Sequence, residues 1–91
     1  MSPPDIQVLI PSQLTSYTAG ASRVAAAGTT VDAVLEDLDR RFPGLRFRVI
    51  DEQDRVRRHM RVYVGQDRVF DLATPVGAGQ EVLIFGALSG G

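Results

Sequence analysis

The 91 residues carry 10 basic and 11 acidic side chains, and a net charge of -1 excludes a polycationic sleeve for nucleic acid. With 44% hydrophobic and 23% charged residues the chain reads as one globular domain, and no apolar run approaches the ~20 residues of a membrane span. The absence of cysteine excludes disulfides, thiolate metal sites and cysteine nucleophiles.

The opening Met1-Ser2-Pro3-Pro4-Asp5 has no basic region followed by an apolar stretch, so no secretory signal is expected and a cytoplasmic location is the default. Asp5 to Ile10 then reads as a first strand, because Ile6, Val8 and Ile10 alternate with Gln7 and Leu9. Pro11 ends it, since proline cannot donate to a central ladder. Ser12 to Ser22, rich in Ser, Thr and Gly, reads as a loop, and Arg23-Val24-Ala25-Ala26 as the return arm of a hairpin.

After Gly28 the period changes. Val31, Val34, Leu35, Leu38 and Phe42 share one face of a helix, and Glu36, Asp37 and Asp39 are expected on its solvated side. Thr29 or Thr30 supplies the N-cap, Asp32 and the pair Arg40-Arg41 complement the helix dipole, and Pro43-Gly44 stops the helix. Leu45 to Arg58 reads as irregular, because Phe47, Val49 and Ile50 fit a short strand and a helical turn equally well. Arg55 to Arg61 is the one basic concentration, read as a solvated turn before a strand or as a dock for an acidic partner. Val62 to Val64 is a strand, Gly65-Gln66-Asp67 a turn, and Arg68 to Phe70 a short returning partner. Gly77-Ala78-Gly79 turns the chain into a last strand, Glu81 to Phe85.

The first and last strands are the most apolar, and both are buried best side by side in the middle of one sheet with the helix across one face. A long crossover makes their parallel pairing possible. The predicted fold is therefore α+β, a β-grasp with a mixed sheet of about five strands and one main helix. Residues 1–86 form the domain, and residues 87–91 a flexible tail ending in Gly90-Gly91. A core of this size buries only ~60 to 65% of the unfolded chain's surface, so function is expected at a surface or terminus rather than in a deep cavity.

Conventional site chemistry is thin. His59 is the one histidine, with no visible triad partner and no second metal ligand. Asp51, Glu52 and Asp54 lack the glycine and closing glutamate of a calcium loop, and Gly77 and Gly79 precede a strand rather than a helix. No metal site and no phosphate loop are predicted. The lack of lysine fits either codon usage or a chain that offers no amine to its own activated terminus.

The element order joined to a closing Gly-Gly resembles the ubiquitin-like sulfur-carrier family. Its members include the thiamine-pathway carrier, the small subunit of molybdopterin synthase and the actinobacterial cysteine-biosynthesis carrier. The resemblance is carried by QVLIP, GTTVDAVLEDL, RVYVG and EVLIFGALSGG and spans nearly the whole chain. The middle, RFPGLRFRVIDEQDRVRRHMRVYV, looks closer to the cysteine and molybdopterin members than to the thiamine carrier. Where the molybdopterin subunit commonly has prolines before its tail, this chain has Gly86-Ala87.

The resemblance implies a carrier protein rather than an enzyme. A ubiquitin-activating-type adenylating enzyme would spend ATP to adenylate the Gly91 carboxylate, sulfur would replace AMP to give a thiocarboxylate, and a sulfur-accepting biosynthetic enzyme would consume it. Cysteine or a thiolated metabolite is the expected product. The chain would bind no cofactor itself, and a tail-trimming protease joins the partners if Gly91 is exposed by processing; no nucleic acid or membrane is involved. Glycine at both terminal positions fits the chemistry, because without a Cβ the backbone enters a narrow channel and leaves its carbonyl open to attack. Leu88, Ser89 and Gly90 are the expected threading residues. Leu83 and Phe85 are the expected docking residues, on the sheet face opposite Val82 and Ile84. The alternatives are a molybdopterin synthase small subunit and a ubiquitin-like protein modifier or binding module.

Overall fold

Alternation of apolar and polar residues builds strand β1 (Ile6–Leu9), with Ile6 and Val8 buried and Gln7 exposed. The computed structural model describes residues 6–86. Strand β2 (Arg23–Ala26) returns antiparallel to β1, pairing Ile6 with Ala26 and Leu9 with Arg23. Strand β3 (Met60–Val64), the two-residue β4 (Asp67–Arg68) and β5 (Glu81–Gly86) complete a five-stranded sheet of order β2-β1-β5-β3-β4. The first and last strands pair in parallel at its centre, Val8 beside Val82, as the apolarity of both predicts. All other pairings are antiparallel, so the sheet is mixed.

The crossover between the hairpin and β3 carries helix α1 (Val31–Arg41). The Thr30 hydroxyl accepts the Ala33 N–H at 3.1 Å, which settles the choice of N-cap between the two threonines. Val31, Val34, Leu35 and Leu38 are fully buried, and they pack with Val8, Val62, Val82 and Ile84 of the sheet in one core. Gly28, in the connection between β2 and α1, lies close against the first turn of the helix. A Cβ there would stand 2.7 Å from the Val34 nitrogen and 2.9 Å from the Ala33 carbonyl carbon, both rigid backbone. Gly28→Ala therefore forces α1 away from the sheet, and urea denaturation should show a loss of about 1–3 kcal/mol, the range for overpacking a close contact.

Four local expectations are corrected. Ser12–Thr18 is a 3-10 helix rather than a loop, because Leu14 and Thr18 are buried and hydroxyls bond nearby carbonyls, Thr18 to Ala21 O at 2.6 Å. Leu45–Val49 is a second helix, α2, rather than irregular chain. Its apolar pair Leu45 and Val49, four residues apart, is fully buried, while Phe47 between them is 55% exposed. Third, the turn after β3 contains only Gly65-Gln66: Asp67 pairs with Val64, and Phe70 stands outside the strand at 71% exposure.

The fourth concerns the acids of α1. Asp37 and Asp39 are structural rather than simply solvated. The Asp39 carboxylate accepts the N–H groups of Gly44 and Arg46 at 3.1 and 3.2 Å, so it joins the end of α1 to the start of α2. Asp37 accepts the Ala27 N–H at 3.0 Å and pairs with Arg40 and Arg41 at 3.0 and 2.9 Å. The Ala27 hydrogen bond, helped by the two guanidiniums, holds the Asp37 carboxyl below the usual carboxylate range. A pKa depressed by folding adds stability that is complete above the unfolded value and is lost as pH falls through the folded one. Asp37→Asn should thus flatten the acid limb of the stability profile below about pH 4, read by chemical denaturation at stepped pH.

Candidate functional site

The two faces of β5 divide its work. Val82 and Ile84 are fully buried beneath α1, whereas Leu83 is half-buried and Phe85 is 41% exposed on the face that no helix covers. This is the division expected from the strand's period of two. The register sets Leu83 opposite Tyr63 and Phe85 opposite Arg61 on β3. The Tyr63 and Phe85 rings meet edge to face, 5.7 Å between centroids and 75° between planes. Arg61, Tyr63, Gly65, Gln66, Leu83 and Phe85 together line a shallow groove of about 440 Å³.

On the other side of β5, Leu9 pairs with Leu83 and the Arg23 guanidinium bonds the Glu81 carboxylate at 2.8 Å. Both members of that ion pair are about half exposed, so it limits the apolar patch at one side without adding much stability. The patch thus has an aromatic centre and a charged rim, the anatomy of a protein-docking surface.

Phe85 is followed by Gly86, where β5 ends. A Cβ on Gly86 would run into the side-chain amide of Gln13, reaching over from the 3-10 helix. Gln13 is exposed and its amide is the free end of a flexible side chain, so Gly86→Ala should displace it with little loss of stability. Gly86 also faces Met60 across the β3 pairing, beside a hollow of about 510 Å³ into which Gln13, Phe47, Arg57 and His59 project.

Of the residues singled out in the sequence, Leu83 and Phe85 lie together on this face. Leu88, Ser89, Gly90 and Gly91 lie outside the described residues, as does the division between domain and tail. Tyr63 and Arg61 share this exposed face with Leu83 and Phe85, and the sequence reading did not single them out. The signal was present: in RVYV the alternation that buries Val62 and Val64 sends Arg61 and Tyr63 to the opposite face. Gln13 carried no such signal, because its place over Gly86 depends on a 3-10 helix that composition did not reveal.

Asp51 and its neighbours form a turn. The Asp51 carboxylate accepts the N–H groups of Gln53 and Arg55 at 2.9 and 3.0 Å, and the bond from Arg55 holds its pKa below the usual range. No group of three or more His, Cys, Asp or Glu able to hold a metal ion occurs among the described residues. No helix among them is long and apolar enough to cross a membrane.

Comparison with known proteins places this architecture. The model of the ThiS family matches residues 8–91. The sulfur carrier protein CysO of Mycobacterium tuberculosis is 33% identical over 92 residues, spanning 96% of this chain and 99% of that protein. Its crystal structure superposes with a TM-score of 0.86 at 32% identity, covering 91% of this chain and 99% of the other. The Amycolatopsis orientalis CysO solved in complex with BexX gives 0.87 at 31% identity, over 94% and 99% of the two chains. The small archaeal modifier protein 1 of Haloferax volcanii, at 21% identity and a TM-score of 0.78 over 94% and 100%, shares the fold.

Proposed function

The chain belongs to the ThiS family of ubiquitin-like sulfur carriers, and we propose that it carries sulfur on the carboxyl group of Gly91. The observation that supports this reading is the family match running through residue 91, onto a Gly-Gly that follows the central strand of the sheet. A carboxylate is a poor electrophile until one oxygen becomes a good leaving group. In the proposed reaction a carboxylate oxygen of Gly91 attacks the α-phosphorus of ATP in a partner enzyme, and pyrophosphate leaves. A sulfide sulfur then adds to the carbonyl carbon and AMP departs, leaving a thiocarboxylate, so one hard substitution becomes two activated ones.

This chain contributes position rather than catalysis. Residues 87–91 span at most ~17 to 18 Å when extended, enough to bring Gly91 into an enclosed site while the domain stays outside it. Leu88, Ser89 and Gly90 pass through the channel, and the exposed face around Phe85 and Leu83 docks on the partner. The partners in this reading are an adenylating enzyme that supplies ATP chemistry and a biosynthetic enzyme that accepts the sulfur, both cytoplasmic. The likeness to two CysO proteins supports cysteine as the first product to test.

Incubating the purified chain with the host's adenylating enzyme, ATP and sulfide tests the chemistry. Intact-mass spectrometry should show one oxygen replaced by sulfur, confined to the peptide that ends at Gly91. An unchanged mass while the enzyme consumes ATP with the chain present would overturn the reading. Phe85→Ala should weaken binding to that enzyme by about 2 kcal/mol, roughly 30-fold, as truncating an interface anchor does. Phe85 is outside the core, so thermal unfolding of the variant should move only slightly.

A further inference from the structure

The chain distributes its 10 arginines unevenly between paired and unpaired roles. Arg23, Arg40, Arg41, Arg46 and Arg55 each have a carboxylate within 4.0 Å, Arg46 pairing with both Asp32 and Asp54. Arg48, Arg57, Arg58, Arg61 and Arg68 have none among the described residues, and the last four line one groove of about 350 Å³ with the paired Arg55, Val69 and Phe70. No acidic side chain lines that groove.

Two of these guanidiniums are held in place. Arg57 lies 4.4 Å above the Phe47 ring and donates to Phe47 O at 2.6 Å, and Arg68 lies 4.5 Å above Phe70. Stacking fixes the plane of a guanidinium while leaving its N–H edge free for a carboxylate, which it grips in bidentate fashion. Arg61 donates to the carbonyls of Arg58 and Met60 at 2.9 Å, tying the turn to the strand. Arg61 is also the register partner of Phe85, and Met60 of Gly86, so the groove adjoins both the apolar docking face and the end of β5.

Four cations side by side, none with a carboxylate within 4.0 Å and with Asp51 of the Arg55 pair acting on Arg57 from further off, repel one another, and an external anion relieves that repulsion. We propose that this groove binds an acidic segment of the adenylating partner, with Arg57, Arg58, Arg61 and Arg68 each receiving a carboxylate. The proposal rests on the carrier reading for the identity of the partner. It extends the docking surface from a purely apolar patch to an apolar patch flanked by a cationic clamp, which orients the domain before the tail inserts.

The test uses a decaglutamate peptide as the probe and NMR titration of the chain with Gly91 deleted, so that the result is independent of sulfur chemistry. Shifts should localise to Arg57, Arg58, Arg61, Arg68 and their neighbours. They should weaken at least about tenfold in the double variant Arg58→Glu, Arg68→Glu, whose side chains are exposed and bear no carboxylate contacts. Raising salt from ~0.1 M to ~1 M, which cuts the Debye length from ~10 Å to ~3 Å, should also weaken them. Shifts scattered over the surface, or unaffected by the double variant, would overturn the proposal. Tighter localised binding of a single-stranded oligothymidylate of equal charge would overturn it in favour of nucleic acid. In the complete chain the same variant should raise the KM for adenylation and leave kcat unchanged; an unaltered KM would also overturn it.

Discussion

Removing Gly91 should abolish sulfur loading and leave the domain's stability as it was. The chemical group moves back by one residue, ~3.3 to 3.6 Å, whereas a misplacement of ~1 Å already costs on the order of 100-fold in rate. The terminal carboxylate of the shortened chain then falls short of the α-phosphorus of ATP, and adenylation should drop by at least that factor. The fold is not expected to depend on Gly91, because the central strand ends at Gly86 and, among the described residues, the core extends no further than Ile84. The measurement is a pair: initial rate of ATP–pyrophosphate exchange with the adenylating enzyme, and thermal unfolding of the same two proteins. Equal exchange rates for complete and shortened chains would mean that Gly91 is not the reacting group. A lowered melting temperature would mean that the tail has a structural role the sheet does not suggest.

The largest stability loss is expected from Leu35→Ala. Leu35 is fully buried between α1 and the sheet, in the same core as Val8, Val62, Val82 and Ile84. Truncating such a leucine removes its transfer free energy and leaves a cavity, together about 2–5 kcal/mol. A domain of this size has a total stability of roughly 5–14 kcal/mol, so one substitution removes a third or more of it in most of that range. Its neighbour Glu36 is exposed and serves as control: Glu36→Ala should stay within about 0.5 kcal/mol. Urea unfolding of both variants decides the matter, and a Leu35→Ala loss below about 1 kcal/mol would contradict the packing of α1 on the sheet.

Much of the architecture was written in the sequence because periodicity is a strong signal over long elements. Val31, Val34, Leu35 and Leu38 specified one buried helix face, and Ile6, Val8, Val82 and Ile84 specified two strands that only the centre of a sheet can bury. Short elements left weaker traces. Helix α2 shows the reason: in Leu45-Arg46-Phe47-Arg48-Val49 the exposed Phe47 mimics an apolar strand position, and only tertiary packing reveals that Leu45 and Val49 are the buried pair. The 3-10 helix was hidden because Ser and Thr side chains bond the backbone locally, which makes a helical turn and a loop look alike in composition. Asp37 and Asp39 looked solvated for a similar reason. Their partners, Ala27 N–H and the start of α2, come from outside the helix.

The exposed face of β5 was legible in part. Alternation in β5 set Leu83 and Phe85 on the open side, and their exposure agrees. The contribution of β3 was missed because Arg61 and Tyr63 were read as part of a basic turn and a strand without asking which face each side chain takes. The arginine groove depended on more than sequence: Arg57, bonded to Val49 O and Phe47 O of α2, is brought beside Arg68 of β4, and the sequence alone does not say which arginines already have carboxylate partners.

The most direct measurement of the carrier role is intact-mass spectrometry of the protein isolated from its native cell under conditions that keep its adenylating enzyme active. The account predicts a population in which sulfur has replaced one oxygen at the carboxyl group of Gly91, and which reverts to carboxylate when the sulfur acceptor and its enzymes are supplied, water furnishing the oxygen as the acyl–sulfur bond breaks. Finding the carboxylate alone, or Gly91 joined by amide bonds to lysines of other proteins in place of a thiocarboxylate, would contradict it.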